Sequence, residues 1–510
     1  MKNISFDKKG FLFSLKFLSV VLSLIFITDY FSSFYFKSVY VVSNNTESTN
    51  QQLKEIKANR KVQNQKYLEE LTLLKNQANI FEPYIFSNYE LLDYIPKEGK
   101  FVAADLENMK VSLYEDSKLV DNFNILSKGK DGSRWETPGG LYKITTKEKN
   151  HFSSLGKVYM PYSMQFFGNF FIHGWPYYPN GTPVEMSYSG GCLRLSTESA
   201  RRIFNFVDRG TSIFVYEEDK DNTLLTNINI KNIPKPFVTA KSVIVANINN
   251  SEIYFKKDSD LPLPIASITK LITALVSNET ISYGKKIRIN DHTESVGDSA
   301  GDVKIGDIFS AEDLIYPLLM ESNNTVAYSL ADYYGYQKFV GKMNEKSKAL
   351  GLYDTRFVDP SGISASNIST VDDLFRLSQY LYEKQSFVLN VSKTESKNIT
   401  SLNNENYIFH NFNIFSKEDN YVGGKTGFTN AAGETMISLF DINTGNSTST
   451  IAIIVLDSEN REKDINKIKQ WFLTAMVPND DSVNTLSKLY LNLKDIVSRE
   501  EMLSTMLFWR

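Results

Sequence analysis

Residues 171–196 read FIHGWPYYPNGTPVEMSYSGGCLRLS and contain the only cysteine of this 510-residue chain. A single thiol cannot form an internal disulfide, which makes this cysteine a candidate nucleophile. A cysteine nucleophile needs a base nearby to form its thiolate, and His173, at the end of the apolar strand-like run FFIH, is the candidate base. Gly190 and Gly191 allow a sharp turn before Cys192, which can aim a backbone amide at a developing oxyanion.

Taken singly, a lone cysteine is more often a small buried hydrophobe, and a lone histidine is more often structural. The joint pattern is more specific, because HG is followed by S-x-G-C-x-R, which adds Ser189 and Arg194. This pattern resembles the active-site signature of L,D-transpeptidases of the YkuD family. The resemblance runs from about Gly99 to Glu218, through TPGGLYKI and GTSIFVYEE. Many members of that family carry a second histidine directly before the Gly-Cys pair, where this chain has Gly190.

A second group of motifs lies downstream. In PIASITKLITALV the apolar residues are spaced as on one face of a helix that begins after Pro264. Ser267 and Lys270 are three residues apart, so on a helix the lysine amine lies beside the hydroxyl and can act as its base. This spacing alone is weak evidence, because it recurs elsewhere, for example at Ser282.

The context of Ser267 is more specific than its spacing. Ser267 follows a predicted strand pair, SVIVANINNSEIYFKKD, and precedes ESNNTVA and the single K-T-G of the chain, in VGGKTGFT. The ordered triple resembles that of penicillin-binding proteins and serine β-lactamases. The stretch KALGLYDTRFVDPSGISASNIST is similar to low-molecular-weight D-alanyl-D-alanine carboxypeptidases, and no acidic loop of the class A β-lactamase kind is present. A peptidase is therefore favoured over a β-lactamase.

The first resemblance implies an L,D-transpeptidase centre. Cys192 attacks a carbonyl of a tetrapeptide stem, and His173 activates the thiol and later protonates the leaving amine. The amine of a neighbouring stem then resolves the thioester into an L,D cross-link. Amides near Gly191 and Cys192 hold the oxyanion, and Arg194 orients the loop or a substrate carboxylate. The implied substrate-binding residues are Ser189, Gly190, Gly191 and Arg194.

The second resemblance implies a D,D-carboxypeptidase that removes the terminal D-Ala of pentapeptide stems. Ser267 is the nucleophile and Lys270 its base, Ser322 and Lys425 relay the proton to the leaving amine, and water is the acceptor. The amides of Ser267 and Phe428 are the expected oxyanion donors. The implied substrate-binding residues are Asn324 for the substrate backbone, Thr426 for the terminal carboxylate, Gly427 and Phe428.

Alternatives remain open at both centres. The second half could be a D,D-endopeptidase that cuts cross-links, the first could attach proteins to the wall, and a wall-binding scaffold could hold peptides at one or both sites without turnover. Neither centre calls for a cofactor. The expected partners are peptidoglycan stem peptides, with β-lactams as covalent inhibitors, and the oligomeric state is left open.

Composition agrees with two globular catalytic halves. A chain of 510 residues has room for two cores, and its hydrophobic fraction of 42% is ordinary for globular domains. The formal net charge is -3 without a basic stripe, which argues against nucleic acid as a partner. One cysteine, four histidines and no HExxH spacing argue against a zinc site. The second half is expected to close with two strands, ETMISLF and TIAIIVL, and a helix from near Asn460.

The N-terminal residues indicate where in the cell the protein is located. Lys2, Lys8 and Lys9 precede the apolar run FLFSLKFLSVVLSLIFIT, and no small-x-small cleavage pattern follows. An uncleaved signal anchor in the cytoplasmic membrane, with both catalytic domains on the outer face, is therefore favoured over a cleaved signal peptide or a buried helix. The expected layout is a cytoplasmic tail and signal anchor (1–36), a partly helical stalk (37–95), a mainly-β L,D-transpeptidase domain (96–219), a linker (220–236), an α/β serine β-lactamase/D,D-peptidase-like domain (237–475) and a helical tail (476–510).

Overall fold

The structure is a computed structural model that describes residues 91, 94–185, 188–217, 228, 230–282, 284–291, 303–443 and 448–476. These residues all belong to one compact unit, 81–510. The proposed signal anchor, most of the stalk and nearly all of the C-terminal tail lie outside the described residues. Within the described ranges, no helix combines the length and the apolar character needed to cross a bilayer.

The transpeptidase-like half consists of two β-sheets and one helix. Its elements are β1 (Lys100–Asp105), β2 (Lys110–Glu115), β3 (Lys118–Asn124), β4 (Gly140–Lys143), β5 (Thr146–Ser153), β6 (Val158–Phe167), β7 (Phe170–Gly174), β8 (Leu193–Leu195), α1 (Thr197–Phe206) and β9 (Ser212–Tyr216). One sheet has the order β3-β2-β1-β9-β4 and the other the order β5-β6-β7-β8. Helix α1 begins after Ser196, whose side chain accepts a hydrogen bond from the Ser199 amide.

The two sheets enclose a shared apolar core. Alternate residues of β1 point to opposite faces, so that Val102 and Ala104 enter this core while Phe101 and Ala103 join a smaller cluster behind the sheet. The other sheet contributes Ile172 from β7. Because β7 and β8 pair in parallel, with His173 opposite Arg194, the core fixes the two strands that carry the histidine and follow the cysteine.

The peptidase-like half contains a five-stranded antiparallel sheet flanked by helices. Its sheet order is β11-β10-β20-β19-β18. In chain order its elements are β10 (Ser242–Asn247), β11 (Ile253–Lys257), β12 (Leu263–Pro264), α2 (Thr269–Thr280), β13 (Lys286–Arg288), β14 (Ile308–Ser310), α3 (Ile315–Met320), α4 (Asn324–Tyr334), α5 (Tyr336–Ala349), β15 (Ile368–Ser369), α6 (Val371–Lys384), α7 (Ser386–Ser392), β16 (Ser396–Thr400), β17 (Asn406–His410), β18 (Tyr421–Thr429), β19 (Gly433–Asn443), β20 (Thr448–Ser458) and α8 (Arg461–Ala475).

The central sheet separates two cores. On β10, Ile244 and Ala246 face the core that surrounds α2, whereas Val243 and Val245 face the core beneath α8. The strand pairs predicted around β10 and around β19 are both present, and α8 starts after Asn460, whose side chain caps it. Pro264 was expected directly before a helix. It lies in the short strand β12 instead, and a 3-10 turn, Ala266–Ile268, precedes α2.

The two halves contact each other directly. Lys346 of α5 and Glu279 of α2 form a fully buried ion pair, with 2.8 Å between Nζ and Oε1. The Lys346 ammonium also donates to the hydroxyl of Tyr142 on β4, at 2.9 Å. Glu217, just after β9, binds Lys128 of its own half and Lys384 at the end of α6. The segment 230–236, expected as part of a linker, is also held, since the Lys231 amide donates to the Ala475 carbonyl.

Candidate active sites

Cys192 lies where a tight turn enters β8. Gly191 has φ +96°, and a side chain there would lie 2.2 Å from the Phe170 ring, so only glycine fits. Gly190 has open space around the position of a Cβ. The turn therefore depends on Gly191 alone, although both glycines were expected to allow it. Cys192 opens into a cavity of about 800 Å³ that His173, Gly190 and Arg194 also line.

Ser189 braces this turn from within. Its Oγ donates to the Cys192 carbonyl at 2.6 Å and accepts from the Gly191 amide at 3.1 Å. Its own amide donates to the Lys128 carbonyl at 2.9 Å. The Gly191 amide, expected as an oxyanion donor, is thus already engaged, and the Cys192 amide is the remaining candidate of the two.

His173 is buried on β7, and its hydrogen bond fixes which nitrogen carries the proton. Nδ1 lies 2.7 Å from the Gly174 carbonyl oxygen. Because that oxygen can only accept, Nδ1 is the donor and Nε2 of the neutral ring keeps a free lone pair. Burial lowers the pKa of His173 to about 4, so the ring is neutral near pH 7 and can take up a proton.

The Cys192 thiol is also neutral at rest. Burial raises its pKa to about 11, against a backbone hydrogen bond from Phe171 and the charge of Arg194, which both act to lower it. The thiol donates weakly to the Asn169 carbonyl, 3.7 Å away. The structure thus brings Cys192 and His173 to one cavity as a neutral thiol and a neutral imidazole, not as a preformed ion pair.

Among the described residues, Arg194 is one of two lysine or arginine residues that line this cavity, the other being Lys130. It lies on β8 opposite His173, with its guanidinium carbon 5.9 Å from the centre of the Trp175 ring. Its amide and carbonyl are tied to Ser127 and Leu126, so its backbone position is fixed. A guanidinium held over an aromatic face at the edge of a cleft suits a carboxylate ligand.

The second centre surrounds Lys270, in the first turn of α2. The fully buried ammonium donates to Ser267 Oγ at 2.9 Å, to Asn324 Oδ1 at 2.7 Å and to the Ser361 carbonyl at 2.7 Å. Burial lowers the pKa of Lys270 to about 7, although the charge of Asp359 acts to raise it. A lysine amine with this pKa, bonded to a serine hydroxyl, can deprotonate it near neutral pH. Asn324, expected on the substrate backbone, is therefore a hydrogen-bond partner of Lys270.

Strand β18 carries the K-T-G residues along one side of this centre. Lys425 is buried and donates to the Thr426 carbonyl at 2.9 Å. Burial, with the nearby charges of Lys270 and Arg461, holds its pKa well below the usual range. A side chain at Gly427 would lie 2.8 Å from the Ser267 amide, so glycine lets the strand approach Ser267 closely. Phe428, next on the strand, is 60% exposed.

Ser322 occupies a strained position between α3 and α4. Its φ is +59°, in the left-handed region that costs energy for a residue with a side chain. It precedes Asn323, whose side chain caps α4 by accepting from the Val326 amide at 3.0 Å. The cap and the strained residue together set where α4 starts, and Asn324 is the first residue of that helix.

The loop 358–367 adds residues to this centre to which no sequence motif gave a role. Asp359 accepts from the amides of Ser361, Gly362 and Ser364 at 2.6–2.9 Å. These bonds fix the Ser361 carbonyl that Lys270 binds. A side chain at Gly362 would lie 1.9 Å from the Ala266 carbonyl, so this loop packs directly on the turn that holds Ser267. The sequence signal was the D-P-S-G tetrapeptide, which favours a tight turn.

Comparison with known proteins gives each half a family. The family model described as D-alanyl-D-alanine carboxypeptidase, Peptidase_S11, matches residues 229–460, and the L,D-transpeptidase catalytic domain, YkuD, matches residues 99–215. A D-alanyl-D-alanine endopeptidase of Escherichia coli (strain K12) is 31% identical over 254 residues, which cover 48% of this chain and 80% of that protein. An endopeptidase of the same name from Pseudomonas aeruginosa is 34% identical over 248 residues, 46% of this chain and 78% of its own length.

A carboxypeptidase is also among the similar proteins. The D-alanyl-D-alanine carboxypeptidase DacB2 of Mycobacterium tuberculosis is 29% identical over 209 residues, 40% of this chain and 72% of that protein. The chain belongs to the S11 family of serine D-Ala-D-Ala peptidases and carries a YkuD L,D-transpeptidase domain ahead of the peptidase domain. Both family memberships predicted from the sequence motifs are confirmed, and the two domains follow each other in the predicted order.

Proposed function

We propose that this chain is a bifunctional enzyme of peptidoglycan modification with a serine centre at Ser267 and a cysteine centre at Cys192. The observation that carries the proposal is the buried Lys270 ammonium, bonded at once to Ser267 and Asn324, with a pKa of about 7. The names of the similar proteins support an envelope location. The anchor proposed for residues 1–36 would hold both centres on the outer face of the membrane.

At the serine centre, neutral Lys270 takes the hydroxyl proton as Ser267 Oγ attacks the carbonyl of the D-Ala-D-Ala bond. The amides of Ser267 and Phe428 bind the oxyanion. The C–N bond then breaks, the leaving amine of D-Ala takes a proton relayed by Ser322 and Lys425, and Thr426 binds the terminal carboxylate. Water next attacks the ester, which releases a tetrapeptide stem and restores Ser267.

At the cysteine centre, His173 Nε2 takes the thiol proton as Cys192 Sγ attacks the carbonyl that precedes the D-Ala of the tetrapeptide. The same nitrogen protonates the leaving amine of D-Ala, and a thioester remains. A neighbouring stem's amine attacks this thioester and gives its proton to His173, and the thiol is restored as the L,D cross-link forms. Arg194 orients a substrate carboxylate, and the Cys192 amide binds the oxyanion.

A second candidate for the serine centre is a D,D-endopeptidase that cuts existing cross-links. The endopeptidase names of two similar proteins, which are 31% and 34% identical to this chain, favour it. The chemistry at Ser267 is the same in both cases, and the difference lies in whether the leaving amine belongs to free D-Ala or to a neighbouring stem. Product analysis separates the two activities.

The test uses the full chain with defined muropeptides and mass spectrometry of products. Release of D-Ala from monomeric pentapeptides supports a carboxypeptidase, and conversion of D,D-linked dimers to monomers supports an endopeptidase. L,D-linked dimers from tetrapeptides support the transpeptidase. Intact-protein masses should show a penicillin adduct on wild type but not on Ser267→Ala, and a carbapenem adduct that Cys192→Ala lacks. A chain that forms neither adduct and no product is a scaffold.

A further inference from the structure

The turn Gly168–Asn169, between β6 and β7, joins the Cys192 centre to the peptidase half. Both residues line the Cys192 cavity, and the Asn169 carbonyl accepts from the thiol, 3.7 Å away. The Asn169 amide donates to the carbonyl of Glu279, at the end of α2, at 3.1 Å. Asn169 is therefore bonded through its carbonyl to the Cys192 thiol and through its amide to the peptidase half.

The contact at Gly168 is too close for any side chain. Gly168 has φ +47°, and a Cβ there would lie 2.3 Å from the Glu279 carbonyl oxygen. The end of α2 thus rests directly on the backbone of the turn. A displacement of that helix end would therefore shift the turn, and with it the Asn169 carbonyl that lies 3.7 Å from the thiol.

The residue before Glu279 contacts a second segment of the transpeptidase half, next to Trp135, which lines the same cavity. Asn278 Nδ2 donates to the Arg134 carbonyl at 2.9 Å. The next residue, Trp135, presents its carbonyl to Gly191, where a Cβ would lie 3.1 Å away. Thr137 Oγ1 then donates to the Gly191 carbonyl at 2.9 Å. Two consecutive residues of α2 therefore contact the Gly168–Asn169 turn and the loop 134–137, which both adjoin the Cys192 turn.

The end of α2 is itself held by a buried cluster. The Glu279 carboxylate pairs with Lys346, whose ammonium lies 5.4 Å from the centre of the Phe167 ring, next to Gly168. The other end of α2 carries Lys270, nine residues earlier, which is about 14 Å along the axis at 1.5 Å per residue. A single buried helix therefore bears the base of one centre and a support of the other.

We propose that the peptidase domain completes the transpeptidase centre, with Asn278 and Glu279 as positioning residues for Cys192. This inference rests on the proposed function of the cysteine centre and adds a role for the peptidase domain in it. The domain supplies a fixed surface against which the Gly168–Asn169 turn and the loop 134–137 are set. The geometry of the transpeptidase centre depends on its contact with the peptidase domain, whereas the serine centre is formed by residues of the peptidase domain alone.

The test introduces two substitutions into the full chain, each with a matched control. Gly168→Ala places a methyl group against the Glu279 carbonyl, and Gly210→Ala, at φ +93° but with open space, imposes at least as much backbone strain without that contact. Asn278→Ala removes the bond to Arg134, and Asn420→Ala removes a similar bond, to the Asp441 carbonyl, inside the peptidase domain.

Three rates are measured for each variant: carbapenem acylation of Cys192, penicillin acylation of Ser267 and iodoacetamide alkylation of Cys192 as a function of pH. Gly168→Ala and Asn278→Ala should slow carbapenem acylation by about 10-fold to 100-fold, as expected for a misplaced reacting group. The alkylation pH profile of Cys192 should shift as well. Penicillin acylation, and both controls, should stay within about twofold of wild type.

Carbapenem acylation and an alkylation profile that both stay at wild-type values in Asn278→Ala and Gly168→Ala would overturn the proposal. If Gly168→Ala does not fold, as shown by loss of its thermal unfolding transition, the rates of Asn278→Ala decide the test. This variant only removes a half-buried side chain. Equal slowing at Ser267 would also overturn it, because the effect would then be general destabilisation. If a carbapenem fails to label wild-type Cys192, the proposed function fails, while the alkylation profiles still decide the positioning role.

Discussion

The two centres differ in how far they are assembled before substrate binds. At the serine centre Lys270, the proposed base, is already bonded to Ser267 Oγ at 2.9 Å, and its pKa of about 7 suits proton transfer. At the cysteine centre the thiol has a pKa of about 11, the imidazole has a pKa of about 4, and the thiol bonds to a backbone carbonyl instead. Burial therefore lowers the pKa of Lys270, which favours its action as a base, and raises the pKa of Cys192, which keeps the thiol protonated and unreactive.

The largest expected effect follows removal of each proposed nucleophile. Cys192→Ala should reduce L,D cross-linking, and Ser267→Ala should reduce D-Ala release, each by about 10⁴-fold or more, because no other residue can form the covalent intermediate. Each variant is the control for the other, since the centre left intact should keep its rate. Mass spectrometry of muropeptide products is the measurement. A Cys192→Ala chain that still makes L,D-linked dimers would contradict the cysteine assignment.

Next in size is the effect of the buried ion pair on stability. Lys346→Met should lower the free energy of unfolding by about 3–5 kcal/mol, because it leaves the Glu279 carboxylate buried without its partner. Lys342→Met is the matched control on the same helix, and since its pair with Glu345 is partly exposed, it should cost under about 1 kcal/mol. Urea unfolding at pH 7 measures both. Equal stability of the two variants would mean that the pair contributes little.

The two centres should also differ in how their acylation or alkylation rates depend on pH. Penicillin acylation of Ser267 should rise about tenfold per pH unit up to pH 7 and then level off, because Lys270 must be neutral to act as base. Iodoacetamide alkylation of Cys192 should still rise between pH 8 and about 10, as expected for a thiol with a pKa of about 11. A plateau for Cys192 near pH 7 would instead indicate a resting thiolate–imidazolium pair.

The smallest effect is expected at Gly190, two residues before Cys192. Gly190→Ala should change stability by under about 0.5 kcal/mol, because a Cβ there meets open space. Gly191→Ala is the contrast, since its methyl group would overlap the Phe170 ring and its φ is +96°. Thermal unfolding and carbapenem acylation measure both variants. Similar losses at the two positions would show that the turn depends on both glycines.

The sequence predicted the residues of each centre that belong to compact motifs. Ser267 and Lys270 lie three residues apart, and the structure joins them at 2.9 Å. The apolar strands around β10 and β19 were also predictable, because buried strands consist of nearly continuous hydrophobic residues.

Contacts between distant segments were not predictable in this way. The Ser361 carbonyl binds Lys270 through the backbone, which leaves no trace in side-chain chemistry. Lys346 and Glu279 are 67 residues apart and look like ordinary surface charges in the sequence. The engagement of the Gly191 amide by Ser189 depends on one local rotamer. A linker was expected at 220–236, and nothing in its sequence indicated the direct contacts between the two halves, such as the bond from Lys346 to Tyr142.

The high pKa of the Cys192 thiol has a consequence for its survival against oxidants. Peroxides and disulfides react with the thiolate, so a thiol with a pKa of about 11 reacts slowly near neutral pH. The chain has no second cysteine with which an oxidised sulfur could form an internal disulfide. Burial that keeps the Cys192 thiol protonated therefore also slows its oxidation, so that the thiol stays reduced for longer without a dedicated reductant.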